Sequence, residues 1–121
     1  MAILVVEGAD VVVRLSWLER LGACRRSNPR APLANVKEIR AIENGWTEVR
    51  GIRAPGTGIP GVIMLGTTRR RGGKDFDAIY RTGLTAVVEF EGAEWGRFAV
   101  SHEDAWRMAN KVQEALPDED E

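Results

Sequence analysis

Residues 61–100, GVIMLGTTRRRGGKDFDAIYRTGLTAVVEFEGAEWGRFAV, decide the fold of this chain. Val62-Ile63-Met64-Leu65 is apolar at every position, as a strand buried on both faces reads. Phe76, Ala78 and Tyr80 alternate with Asp75, Asp77 and Ile79. Leu84, Ala86, Val88 and Phe90 share one face of the next strand, and Gly96, Phe98 and Val100 share a face of the last. Gly72-Gly73 and Glu91-Gly92 are the turn signals between them. The spacing predicts a meander of antiparallel strands. Beyond it, Ser101-His102-Glu103-Asp104 resembles a capping box with Asp in place of Glu. A helix is predicted to follow, with Ala105, Met108, Ala109, Val112 and Leu116 on one stripe and Pro117 just past its end.

Upstream, Ile3–Val6 and Val11–Arg14 are β-branched runs separated by Glu7-Gly8-Ala9-Asp10, and they read as a hairpin. Ser16 and Glu19 have the spacing of a capping box for a short helix, with Leu18 and Leu21 expected to face inward and Gly22 to end it. Asn28-Pro29 marks a turn. Val36–Ile42 is ambiguous between helix and strand, and Trp46–Ile52 reads as one or two helical turns. Strands first and one amphipathic helix last exclude a doubly wound α/β fold. The expectation is a mainly β (α+β) protein: a partly open antiparallel barrel or sandwich capped by a C-terminal helix.

Composition sets the outer bounds. The chain has 121 residues, enough for one domain with a substantial core, expected over residues 1–117. A hydrophobic fraction of 44% with 29% charged residues is ordinary for a soluble globular domain. The single cysteine, Cys24, excludes an internal disulfide framework. The N-terminal stretch is apolar but has no basic start and contains Glu7 and Asp10, so the expected location is cytoplasmic. Formal net charge is −1, yet residues 118–121 carry four acids, which leaves 17 basic against 14 acidic residues elsewhere. That acidic tail is expected to be disordered. The balance does not suit nucleic-acid binding but leaves room for a local anion site.

Ala31-Pro32-Leu33-Ala34-Asn35-Val36-Lys37-Glu38-Ile39 is a Pro-Leu-x-x-Val lead-in to a strand. With the strand order and the final helix, it resembles the pleckstrin-homology (PH) superfold, and more narrowly the bacterial PH-like domains. RGIRAPGTGIPGVIMLGTTRRRGG, residues 50–73, looks like a distinctive element of one small branch. The resemblance covers nearly the whole chain. It implies little about function, since PH-like folds host lipid, peptide and protein contacts alike. The acidic Glu7-Gly8-Ala9-Asp10 gap stands where phosphoinositide-binding PH domains carry a basic loop, which argues against that ligand.

Gly56, Gly58 and Gly61 have the GxGxxG spacing, but a dinucleotide site needs a strand before that motif and a helix after it. Here prolines 55 and 60 stiffen the stretch and a strand follows, so it reads as a crossover loop. The anion candidate is the basic hairpin of Arg69, Arg70, Arg71 and Lys74, which Arg50 and Arg53 join if the fold brings them near. Its plain alternative is a solvated hairpin whose charges discourage edge pairing. Trp95 lies opposite Phe98 and Val100 in the alternation, which places it on the outer face as a candidate contact surface, or else packed under Trp106 or a loop. His102 and Cys24 have no companions at metal-ligand or nucleophile–base spacing, and Asp75 and Asp77 share a face without any sign of unequal acidity.

The sequence therefore reads as a non-enzymatic binding domain with no cofactor and no metal. Its expected partner is another protein, including a second copy in a homo-oligomer. The alternatives are an anionic ligand or membrane surface at the basic hairpin and, more remotely, a small-molecule enzyme.

Overall fold

The computed structural model describes residues 2–23, 25, 27–44, 52–59, 63–70, 73–80 and 83–116; the side chains of 52–59 and 70 lie outside that description. Strands β1 (Ile3–Glu7) and β2 (Asp10–Arg14) form the expected hairpin, with Glu7 opposite Asp10 and Gly8 at φ +62° in the turn. A short helix, α1 (Trp17–Gly22), follows. Strand β3 (Arg30–Pro32) returns to pair with β2 and completes a three-stranded antiparallel sheet. A 3-10 turn at Leu33–Asn35 then leads into β4 (Val36–Ile42), which settles that ambiguous segment as a strand.

The second sheet adds β5 (Ile52–Ile59), β6 (Ile63–Arg70), β7 (Gly73–Tyr80), β8 (Thr85–Phe90) and β9 (Arg97–Ser101). Its order is β4-β8-β9-β7-β6-β5. This corrects the expected meander. Strand β9 lies between β7 and β8 and runs parallel to β7, with Phe76 beside Phe98 and Ala78 beside Val100. Period-two alternation tells which face a side chain takes, and it carries no information about which strand is the neighbour. The fold is thus mainly β, built from two sheets with a helix, α2 (Ala105–Ala115), at its C-terminal end. No ladder joins the two sheets among the described residues.

Three local readings are also corrected. The glycine-rich stretch is strand rather than crossover loop: β5 pairs with β6 from Ile52↔Arg69 to Ile59↔Ile63, and the register slips between Arg53 and Gly56. Pro55 sits in that slip on an edge strand, where a residue without an N–H breaks no ladder bond. Gly73 belongs to β7 opposite Arg70, so Gly72-Gly73 is not the turn pair. Ser101 ends β9 and does not cap α2; instead the Asp104 N–H donates to His102 Nδ1 at 2.9 Å, and the helix begins at Ala105. The expected helical turns at Trp46–Ile52 lie outside the described residues except Ile52, which opens β5. The acidic tail and Cys24 lie outside them as well.

The main core fills the space between the sheets and α2. Leu4, Val11 and Val13 from one sheet meet Phe76, Val88, Phe98 and Val100 from the other, and α2 adds Ala105, Met108 and Val112. Leu116 is half-buried against the same cluster. The opposite face of the large sheet carries a second apolar cluster of Ile79, Val87 and Ala99, so β7, β8 and β9 are buried on both sides.

Candidate functional site

Among the described residues, helix α1 carries three of the five large apolar side chains that are exposed; Ile3 and Trp106 are the other two. Trp17, Leu18 and Leu21 are 66%, 63% and 66% exposed. This reverses the expectation that Leu18 and Leu21 face inward. The capping box does form: Glu19 N–H donates to Ser16 Oγ at 3.2 Å, and Ser16 N–H donates to Glu19 Oε1 at 2.9 Å. The second carboxylate oxygen then decides which way the helix faces. Glu19 Oε2 accepts the Tyr80 hydroxyl at 2.5 Å, which draws Glu19 inward to 7% exposure. At 100° per residue, Trp17, Leu18 and Leu21 occupy the side of the helix away from Glu19 and must face out.

The electrostatics of this tether are consistent with its geometry. Burial alone would push the Glu19 carboxyl up, but the hydrogen bonds from Tyr80 and Ser16 outweigh it and hold the group below its ordinary value. Burial, with Glu19 as hydrogen-bond partner and neighbouring charge, pushes the Tyr80 hydroxyl far above its ordinary value. The tether is therefore a carboxylate facing a neutral phenol at any ordinary pH.

The basic hairpin is only partly assembled. Arg69 stands directly opposite Lys74 in the β6–β7 ladder and is exposed. Lys74 is already engaged: its Nζ lies 2.8 Å from Glu94 Oε2 and 4.5 Å from the centre of the Trp95 ring. Glu94 is held below the usual carboxylate range, first by the hydrogen bond from Lys74 and then by its charge. The register places Arg70 opposite Gly73, and Arg53 at the level of Thr68, the alternate position to Arg69. Arg50 and Arg71 lie outside the described residues.

Trp95 is not a contact surface. It is 2% exposed, with Phe76 edge-on at 6.0 Å and Phe98 at 5.7 Å. Arg25 lies 5.1 Å from its ring centre, so with Lys74 it carries two cation–π contacts. The alternation that put Trp95 outside fails because the residue precedes β9 and is not part of it. Beside it, Glu7, Arg25, Arg30, Asn28 and Glu94 line a polar hollow of about 390 Å3. Most of that charge is already matched: Arg30 reaches Glu7 at 3.0 Å and Asp10 at 3.6 Å.

A row of charges that the sequence did not reveal crosses the second face of the large sheet. Glu89, Arg97, Asp75 and Thr68 are successive register partners on β8, β9, β7 and β6. Glu89 Oε2 takes Arg40 at 2.6 Å and Arg97 at 3.3 Å, and Thr68 Oγ1 donates to Asp77 at 2.9 Å. Asp75 and Asp77 are fully buried and sit in this network. Only the insertion of β9 beside β7 brings Arg97 to Asp75, which is why neither spacing nor motif indicated it. His102 lies far along the chain from these acids and is occupied as the acceptor of the Asp104 N–H. Among the described residues, no three His, Cys, Asp or Glu side chains converge on a metal-sized site, and no helix is long and apolar enough to cross a membrane.

Compared with protein-family models, curated proteins and solved structures, the chain matches none.

Proposed function

We propose that this chain is a non-enzymatic binding domain of PH-like, partly open barrel character that works by protein contact, and that it pairs with a second copy of itself through α1. The observation that carries this reading is the exposed apolar face of Trp17, Leu18 and Leu21. Large apolar groups rarely cluster on a free surface without a contact to make. An apolar face without charges of its own is self-complementary, as a two-fold interface requires. The tether through Glu19 and Tyr80 supports it, because the helix is fixed before any partner arrives.

Light scattering tests the reading. The intact protein is expected to be a dimer in the micromolar range, and Trp17→Glu with Leu21→Glu is expected to give a folded monomer. A wild-type monomer across that range would remove self-association. Anion binding at the basic hairpin is the second reading. Arg69 opposite Lys74 favours it, although Glu94 already takes up much of the lysine's charge.

A further inference from the structure

His102 holds the start of α2 in two ways. Its carbonyl accepts the Ala105 N–H at 3.1 Å, and its imidazole Nδ1 accepts the Asp104 N–H at 2.9 Å. The capping residue and the first three residues of a helix have N–H groups with no partner inside it. His102 takes up two of those four, while the Asp104 side chain makes no capping bond. The histidine is itself fixed from behind, since its own N–H donates to Leu84 O at 3.0 Å. Past this clasp, Met108 N–H donates to Asp104 O at 2.9 Å, and the Met108 side chain packs into the main core. An imidazole nitrogen accepts a hydrogen bond only when it carries no proton. The neutral ring of His102 is therefore the Nε2–H form. A second proton goes to Nδ1, turns the acceptor into a donor facing another donor, and sets a positive charge at the positive end of the helix dipole.

We propose that His102 is an acid-sensitive latch on α2: the neutral ring holds the first turn of the helix on the core, and protonation releases it between about pH 7.5 and 5.5. Among the described residues, the ionisable groups around the ring are Tyr80 on β7, Glu103 and Asp104 ahead of α2, and Arg107 and Lys111 on it. Strand β1 and the lead-in to β8 present Ile3, Leu4, Val5 and Leu84, none of which titrates. Carboxylates, phenols, guanidinium and ammonium groups ordinarily keep one charge state across that window, so the imidazole is the group that changes. The two carboxylates draw the proton and the two cations resist it, which leaves the lost bond and the helix dipole to set the outcome. Leu4 and Met108 line one hollow with His102 and are almost fully covered. Release of the first turn uncovers them, so acid exposes apolar surface that the neutral protein hides. The latch lies on α2 and does not rest on the dimer reading.

Amide exchange on the intact protein tests this, corrected for the pH dependence of exchange in an unfolded chain. From pH 7.5 to 5.5, protection of Asp104 and Met108 is expected to fall about fivefold, as for a lost capping bond, while that of Val88 and Val100 stays constant. His102→Asn, whose Oδ1 accepts the same N–H and does not titrate, is expected to keep its protection at both pH values. His102→Phe, with no acceptor, is expected to lack it at both. Nitrogen NMR of the wild-type imidazole, which needs no variant, is expected to show the Nε2–H form at pH 7.5. Unchanged protection of Asp104 and Met108 in the wild type, a loss shared equally by Val88 and Val100, a pH-dependent loss that persists in His102→Asn, or an Nδ1–H ring at pH 7.5 would each overturn the proposal.

Discussion

The Tyr80 hydroxyl donates to Glu19 Oε2 at 2.5 Å, while the other oxygen of the same carboxylate closes the capping box on Ser16. One side chain thus starts the helix and docks it on the large sheet. The outward position of Trp17 and Leu21 follows from that double use.

Tyr80→Phe is expected to destabilise the protein by about 1.5–3 kcal/mol near neutral pH, as for a lost hydrogen bond to a charged group. The Glu19 carboxyl should move up toward its ordinary value, since the bond from Tyr80 is one of the contacts holding it down. The sign of the pH dependence follows. A depressed carboxyl contributes stability above the usual carboxylate range and loses it as pH falls through the folded value. Tyr80, raised in the folded state, contributes below about pH 10 and loses that contribution as pH climbs toward the folded value. Urea unfolding of wild type and variant should show the gap between them shrinking in acid. A gap that is constant from about pH 3 to pH 7 would contradict the assignment.

Trp95→Ala should cost about 3–5 kcal/mol, the usual range for a buried tryptophan, because Phe76, Phe98, Arg25 and Lys74 all lose their contact with its ring. Trp17→Ala should stay within about 0.5 kcal/mol in the monomer, as exposed substitutions do. Thermal denaturation of the two variants separates a core tryptophan from a surface one. Similar losses in both would contradict this division.

Val112 is fully buried where α2 meets the core. Val112→Asp is expected to destabilise by about 3 kcal/mol or more, since the carboxylate has no partner there. Circular dichroism with urea should show an early, cooperative loss of the fold, and wild-type stability in this variant would mean that α2 does not pack as described.

If the basic hairpin is a solvated one, replacing Arg69, Arg70 and Arg71 by alanine should leave the melting temperature nearly unchanged, because solvent-exposed charges contribute little. If the hairpin binds anions, the same variant should lose salt-sensitive retention on phosphate-rich vesicles. An intact protein that is not retained even at low salt ends the lipid-headgroup reading.

The sequence by itself determined the local elements. Alternation at Phe76, Ala78, Phe98 and Val100 marked core-facing strand positions, Ser16 and Glu19 announced a helix start, and the stripe from Ala105 to Val112 marked the buried side of α2. These are short-range signals set by backbone period and capping chemistry. Tertiary structure alone decided who neighbours whom. It set β9 between β7 and β8, bringing Arg97 beside Asp75, and it buried Trp95 under Arg25 and Lys74. It also turned Leu18 and Leu21 outward, because a bond to Tyr80, sixty-one positions away, was worth more to Glu19 than solvent. Periodicity records a residue's face within its own element; the partner across the chain is fixed only when the sheets close around a shared core.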